Sequence, residues 1–194
     1  MKHLLTTFVL VIGATAVIAS ESIQLSLTPD IALHSSDTKI TGLSLNIWGQ
    51  NPQSGVALGI VNGSKGMSSG LQIGFIGNYA ENYSGVMFGG LFNYVKGDFK
   101  GWEVALINFN EGDFTGWQSG VVNFNDGMMT GLQSGFINYS KVLNGLQLGV
   151  FNYAEKTIAG LQIGVLNIIS QNEKWLEEMP DALAPGMIFI NWRF

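Results

Sequence analysis

The segment GWQSGVVNFNDGMMTGLQSGFINYS, from Gly116 to Ser140, states nearly the same pattern twice, fifteen residues apart. A short repeat constrains a fold strongly, because each unit must bury its surface against a copy of itself. Units begin at Gly42, Gly55, Gly70, Gly85, Gly101, Gly116, Gly131, Gly145 and Gly160, in steps of 13 to 16 residues. With that glycine as position 0, position 1 is apolar in every unit, and position 2 is Gln at Gln72, Gln118, Gln133, Gln147 and Gln162. From the Gly55 unit on, position 4 is Gly or, once, Ala105. An Asn follows at position 7 or 8, and then usually an aromatic residue: Tyr79, Tyr94, Phe109, Phe124, Tyr139 or Tyr153.

Alternation across GLQLGV and GLQIGV has period two, which predicts strands. Lys96-Gly97-Asp98, Glu111-Gly112-Asp113 and Asp126-Gly127 fall between strands and read as hairpin turns. Folded about Asp126-Gly127, the opening segment places Phe124 opposite Met129, Val121 opposite Leu132 and Trp117 opposite Phe136. Large then meets large or small, and apolar meets apolar, as cross-strand pairs prefer. The expected fold is therefore all-β, an antiparallel up-and-down meander closed into a small barrel of about 10–12 strands. Positions 1, 3 and 5 would form its membrane-facing belt: Leu146, Leu148, Val150, Leu161, Ile163 and Val165, with Trp102 and Trp117 at position 1. Glu103, Gln118, Gln133, Gln147 and Gln162 would face the lumen, with Glu103 its lone carboxylate.

Two features strain that reading. The apolar trio spans only about 13 Å, short of the ~25 Å belt of outer-membrane barrels. Ser119 and Ser134 also interrupt it, and the aromatics share a face with Gln. The alternative is a parallel β-solenoid with 15-residue coils, an Asn ladder and a core filled by the apolar positions. It would be a secreted adhesin or self-assembling surface protein using a flat Gln/Asn-rich face. Extra residues at Gly77 and at Gly89 or Gly90 predict β-bulges that flip the local facing.

The ends support export. MKHLLTTFVLVIGATAVIAS, residues 1–20, has a basic start, an apolar stretch and a small-residue cleavage site, and reads as a signal peptide. Residues 21–194 then form one β-repeat domain, with repeats over about 42–170 and a closing strand at 186–194. Ile188, Ile190, Trp192 and Phe194 alternate up to a terminal aromatic, like the closing strand of outer-membrane barrels, whose ending the assembly machinery reads. Ile23 to Leu27 alternates too and is a candidate partner for that strand. Asn172 to Met179, stopped by Pro180, reads as a short capped helix. The expected role of the barrel is structural, surface or passive permeation, and its expected location is the outer membrane, otherwise the cell surface or outside the cell. The expected partners are membrane lipid and barrel-assembly machinery.

The Gly-Leu-Gln-x-Gly-Φ-Φ-Asn units from Gly70 to Asn167, with the exported start and aromatic end, resemble a family of bacterial surface repeat-containing proteins. The resemblance implies an exported, β-rich protein and transfers no catalytic residue.

The chemistry available is narrow. The absence of Cys removes disulfides, thiolate metal sites and a Cys nucleophile. A net charge of −5 with no basic run argues against nucleic acid. Beyond the leader the one histidine is His34, beside Ser35, Ser36 and Asp37. His34 alone carries the least favoured reading, a lipid-modifying barrel enzyme; a hydrolase would need geometry and not adjacency, so a solvated turn is expected there, with no enzyme, cofactor or metal site. The sequence does not specify a small-molecule ligand.

Overall fold

A computed structural model describes residues 20–194. Nine strands are described: β1 (Ser20–Thr28), β2 (Ile31–Ala32), β3 (Lys39–Gln50), β4 (Ser54–Gly89), β5 (Phe92–Val95), β6 (Phe99–Val104), β7 (Ile107–Asn110), β8 (Phe114–Ile169) and β9 (Gly186–Arg193). β4 and β8 are long because each runs through several coils without a break.

Successive units stack in parallel. Trp102 pairs with Trp117, Asn108 with Asn123, and Phe109 with Phe124. The same in-register stacking joins β3 to β4, β4 to β5 and β6, and β5 to β7. The fold is a β-solenoid, not a closed antiparallel barrel. Each coil has two limbs, seen most clearly as β6 and β7. The corner at Ala105–Leu106 joins them, and the turn at Glu111–Asp113 carries the chain to the next coil. The predicted hairpin turns instead stack on one another: Asp98 Oδ1 accepts from the Asp113 amide (3.0 Å), and Asp113 Oδ1 from the Met128 amide (2.8 Å).

The glycine at position 0 is required by this stacking. Gly70, Gly85, Gly101, Gly116, Gly131 and Gly145 all have φ between +112° and +154°, a conformation that L side chains rarely adopt. A Cβ on any of them would also overlap the carbonyl oxygen of the glycine one coil earlier.

The apolar positions do not fill the core, contrary to the expectation for a solenoid. Tyr83, Phe99, Phe114, Met129 and Leu143 form its apolar column, with Phe99 stacked on Phe114 at 5.0 Å between ring centroids. Ile40, Met87, Val95 and Ile169 are also fully buried, and most of the other inward positions are polar. The extra residues of the units at Gly70 and Gly85 do not reverse the facing. They fall at or next to the corner, and Asn78 and Asn93 stay in the buried Asn column.

The two ends are capped differently. At one end β1 pairs in parallel with β3 and antiparallel with β2. At the other, β9 pairs antiparallel with the last coil, Leu161 opposite Trp192 and Ile163 opposite Ile190. β1 and β9 therefore lie at opposite ends and do not pair, which overturns ring closure. The strand read as an assembly signal is a lid on an exposed sheet edge, a role that solenoid ends require. Within it Ile188, Ile190 and Phe194 are exposed and Trp192 is half-buried. Asn172–Met179 is turn and irregular chain, not helix. The Asn172 side chain donates to the Ala184 carbonyl (2.9 Å) and accepts from Arg193 (3.1 Å), so it ties the lid down instead of capping a helix. Residues 1–19 of the expected signal peptide lie outside the described residues, and Ser20 is the first residue of β1.

Candidate functional site

The interior is built from two amide ladders. In the first, each Asn Nδ2 donates to Oδ1 of the Asn in the following coil, from Asn46 through Asn62, Asn78, Asn93, Asn108, Asn123, Asn138 and Asn152 to Asn167, at 2.8–3.0 Å. The second N–H of most of these residues goes to the position 3 carbonyl of that coil, as from Asn108 to Ser119 (2.8 Å) and from Asn123 to Ser134 (2.9 Å). The Asn thus holds the backbone as it enters the corner.

The second ladder runs the other way. Gln162 donates to Gln147 (2.7 Å), Gln147 to Gln133 (2.7 Å), Gln133 to Gln118 (2.8 Å), and Gln118 to the Glu103 carboxylate (3.1 Å). Gln133 and Gln162 also donate to the backbone carbonyls of Tyr139 and Ile168, each at 3.0 Å. All five residues expected to face a lumen point inward and are fully buried. They face a packed interior in which each Gln donates to the side chain one coil earlier, and Gln162 Oε1, at the ladder's end, has no partner among the described residues.

Glu103 ends the Gln ladder. Its Oε2 accepts from Gln118 and from Asn110 Nδ2 (2.7 Å). Its Oε1, with Asn110 Oδ1 and Asn125 Oδ1, has no partner among the described residues. This cluster has acceptors to spare and lacks a donor, which a protonated carboxyl would supply. Burial, opposed by the two hydrogen bonds, pushes the Glu103 carboxyl up to about 7.

Outside, the order is inverted. The residues expected in a membrane belt do face outward: Trp102, Trp117, Ile163 and Val165 are exposed, and Leu146, Leu148, Val150 and Leu161 are half-buried. Sequence reasoning missed the corner. Positions 5 and 6 there form a continuous apolar edge, including Ile60, Phe75 (81% exposed), Leu106, Val121, Phe136 and Phe151. Two consecutive apolar residues before Asn62, Asn93, Asn108, Asn123, Asn138, Asn152 and Asn167 were the signal, since adjacent residues can both be exposed only where the strand bends. Near β1 the edge widens into a trough of about 820 Å³ between Leu25, Leu27, Ile31, Leu33, Leu45 and Leu58, with no charged side chain in its lining.

Charge occupies the opposite edge. Lys96, Asp98, Glu111, Asp113, Asp126, Lys141 and Lys156 stand at or beside the turns. From position 1 to position 8 the repeats hold one Asp, Glu, Lys or Arg, the buried Glu103. Between the edges runs an aromatic column: Phe109 stacks on Phe124 at 4.7 Å, Phe124 on Tyr139 at 4.3 Å, and Tyr139 on Tyr153 at 5.5 Å. Its hydroxyls reach toward the charged edge: Tyr94 donates to Glu111 (2.6 Å) and Tyr139 donates to Glu155.

The residues around His34 form no triad. The His34 backbone brackets the Gln24 amide, accepting at 2.8 Å and donating at 2.9 Å. Ser36 and Asp37 both bind Lys65, at 3.0 Å each. Among the described residues no hydrogen bond joins the imidazole to either. A Gln/Asn-rich binding face is likewise not presented outward, because those columns are the interior. No protein-family model, curated protein or solved structure matches this chain.

Proposed function

We propose that this chain is an exported β-solenoid with a structural, surface-attaching role, an adhesin-type protein that works by presenting one long edge. The observation that carries the reading is the segregation of its surface: an apolar edge along the repeats and a charged edge opposite. A contiguous exposed apolar surface of this kind marks an interaction site. The coils that build it serve as a rigid ruler, since stacking at about 4.8 Å per coil gives roughly 40 Å of edge from the first repeat to the last. The function needs no bond-making step, and none is assigned. The test is fractionation and protease shaving of the producing cell. The expected result is protein outside the cytoplasm that begins near Ser20. Protein retained in the cytoplasm with Met1 still in place overturns the reading.

A further inference from the structure

The apolar edge has a shape and a charge pattern that select among partners. It is convex, because it lies at the corner where two limbs meet. Two such edges from two copies would touch along a line and leave most of their side chains wet. A fluid hydrocarbon phase closes around a wedge without needing a matching groove. No ionisable group other than the aromatic-column tyrosines is exposed between positions 1 and 8, so insertion would desolvate no charge.

The flanks carry the second observation. Trp102 and Trp117 stand on one side, their rings stacked at 5.2 Å and both exposed. The Tyr/Phe column stands on the other, with the hydroxyls of Tyr94 and Tyr139 tied to glutamates of the charged edge. Amphipathic rings placed between an apolar zone and a charged one mark the level of a membrane–water interface. The trough near β1 continues the same charge-free surface.

We propose that this edge seats in the surface of a lipid bilayer, with the solenoid lying along the membrane and the charged edge toward water. The proposal rests on the surface-attaching role above and names its partner. The driving force is burial of aliphatic and aromatic side chains at the headgroup–acyl boundary, as for other interfacial elements. From Ser20 onward the chain has 8 basic and 14 acidic groups, and this net −6 makes neutral headgroups the better partner and anionic ones the worse.

The experiment uses the purified chain from Ser20 to Phe194 and vesicles of phosphatidylcholine, with and without phosphatidylglycerol. Flotation measures partitioning, and quenching of tryptophan fluorescence by lipids brominated along the acyl chain measures depth. The wild type is expected to float with neutral vesicles and to be quenched. Combining Val121→Ser, Phe136→Ser and Phe151→Ser should lower partitioning at least tenfold with the far-ultraviolet spectrum unchanged. Asp126→Ser with Lys141→Ser, on the charged edge, should leave it unchanged. Flotation that requires the anionic lipid, or that survives the triple substitution, overturns the proposal. So does vesicle-independent self-association abolished by the triple substitution without flotation, which would assign the edge to a second copy. Because fractionation of the cell reads export separately, a protein that is exported but does not float removes this proposal alone.

Discussion

The interior columns and the outer corner are built by the same coils, a few residues apart, with opposite chemistry. Asn123 is fully buried and polar, and Val121 is apolar and half exposed. In a globular core this arrangement would be inside out, because burying an amide without a partner costs several kcal/mol. The fixed repeat removes that cost. The same amide recurs one coil away at hydrogen-bonding distance, so the partner for each Asn of the long column, and for Gln133, Gln147 and Gln162, is another copy of itself. Stacking satisfies the interior with few large apolar side chains: the column of Tyr83, Phe99, Phe114, Met129 and Leu143, with Met87 and Val95 beside it and Ile40 and Ile169 toward the ends. The apolar residues at positions 1, 3 and 5 are then free for an external partner.

The contrast can be broken most severely at Asn123. Asn123→Leu orphans the Nδ2 of Asn108, the Oδ1 of Asn138 and the Ser134 carbonyl. With about 1–3 kcal/mol for each orphaned group, urea denaturation should show a loss of about 3–9 kcal/mol. Val121→Asn, on the edge, should change the same midpoint by less than about 0.5 kcal/mol. Equal losses at the two positions would mean that the edge is buried in the protein as it exists in solution.

The next effect is one of pH. The folded Glu103 carboxyl titrates at about 7, above its ordinary value of 4.5, so the folded chain holds that proton more tightly than the unfolded one. The contribution is complete below pH about 4.5 and is lost as pH rises through about 7, a change of about 3 kcal/mol. Thermal melting from pH 4.5 to 8 should show that decline. Glu103→Gln, which continues the ladder with a neutral amide, should flatten it and raise the midpoint at pH 8. A decline that survives Glu103→Gln would place the titration elsewhere.

The smallest effect lies between interior and edge. Tyr139→Phe removes the hydroxyl bonded to Glu155 and keeps the ring in its stack. Denaturant titration should record a cost of about 0.5–1.5 kcal/mol. Vesicle partitioning of the same variant should fall less than for the edge substitutions.

Much of this was legible before any coordinates. The unit boundaries, the strand character and the inward direction of Gln118, Gln133, Gln147 and Gln162 follow from a two-residue alternation broken by glycine. The outward direction of Trp117, Leu146 and Ile163 follows from the same alternation. What alternation cannot carry is the direction of the next strand. The unit is nearly palindromic about position 3, so a reversed copy and a parallel copy offer the same hydrophobic pattern. Reading Asp126-Gly127 as a reversal chose the wrong one.

The sequence by itself determined the period, the strands, the two facings and the confinement of charge to the turns, because these are properties of one unit. Only the tertiary structure decided that units stack in parallel, that position 4 to 6 is a corner, and that the last strand is a lid. The physical reason is that each depends on a neighbour one coil away. Gln on Gln and Asn on Asn satisfy one amide hydrogen of each side chain only in register, the other going to a backbone carbonyl, and that condition exists only once the coils are stacked.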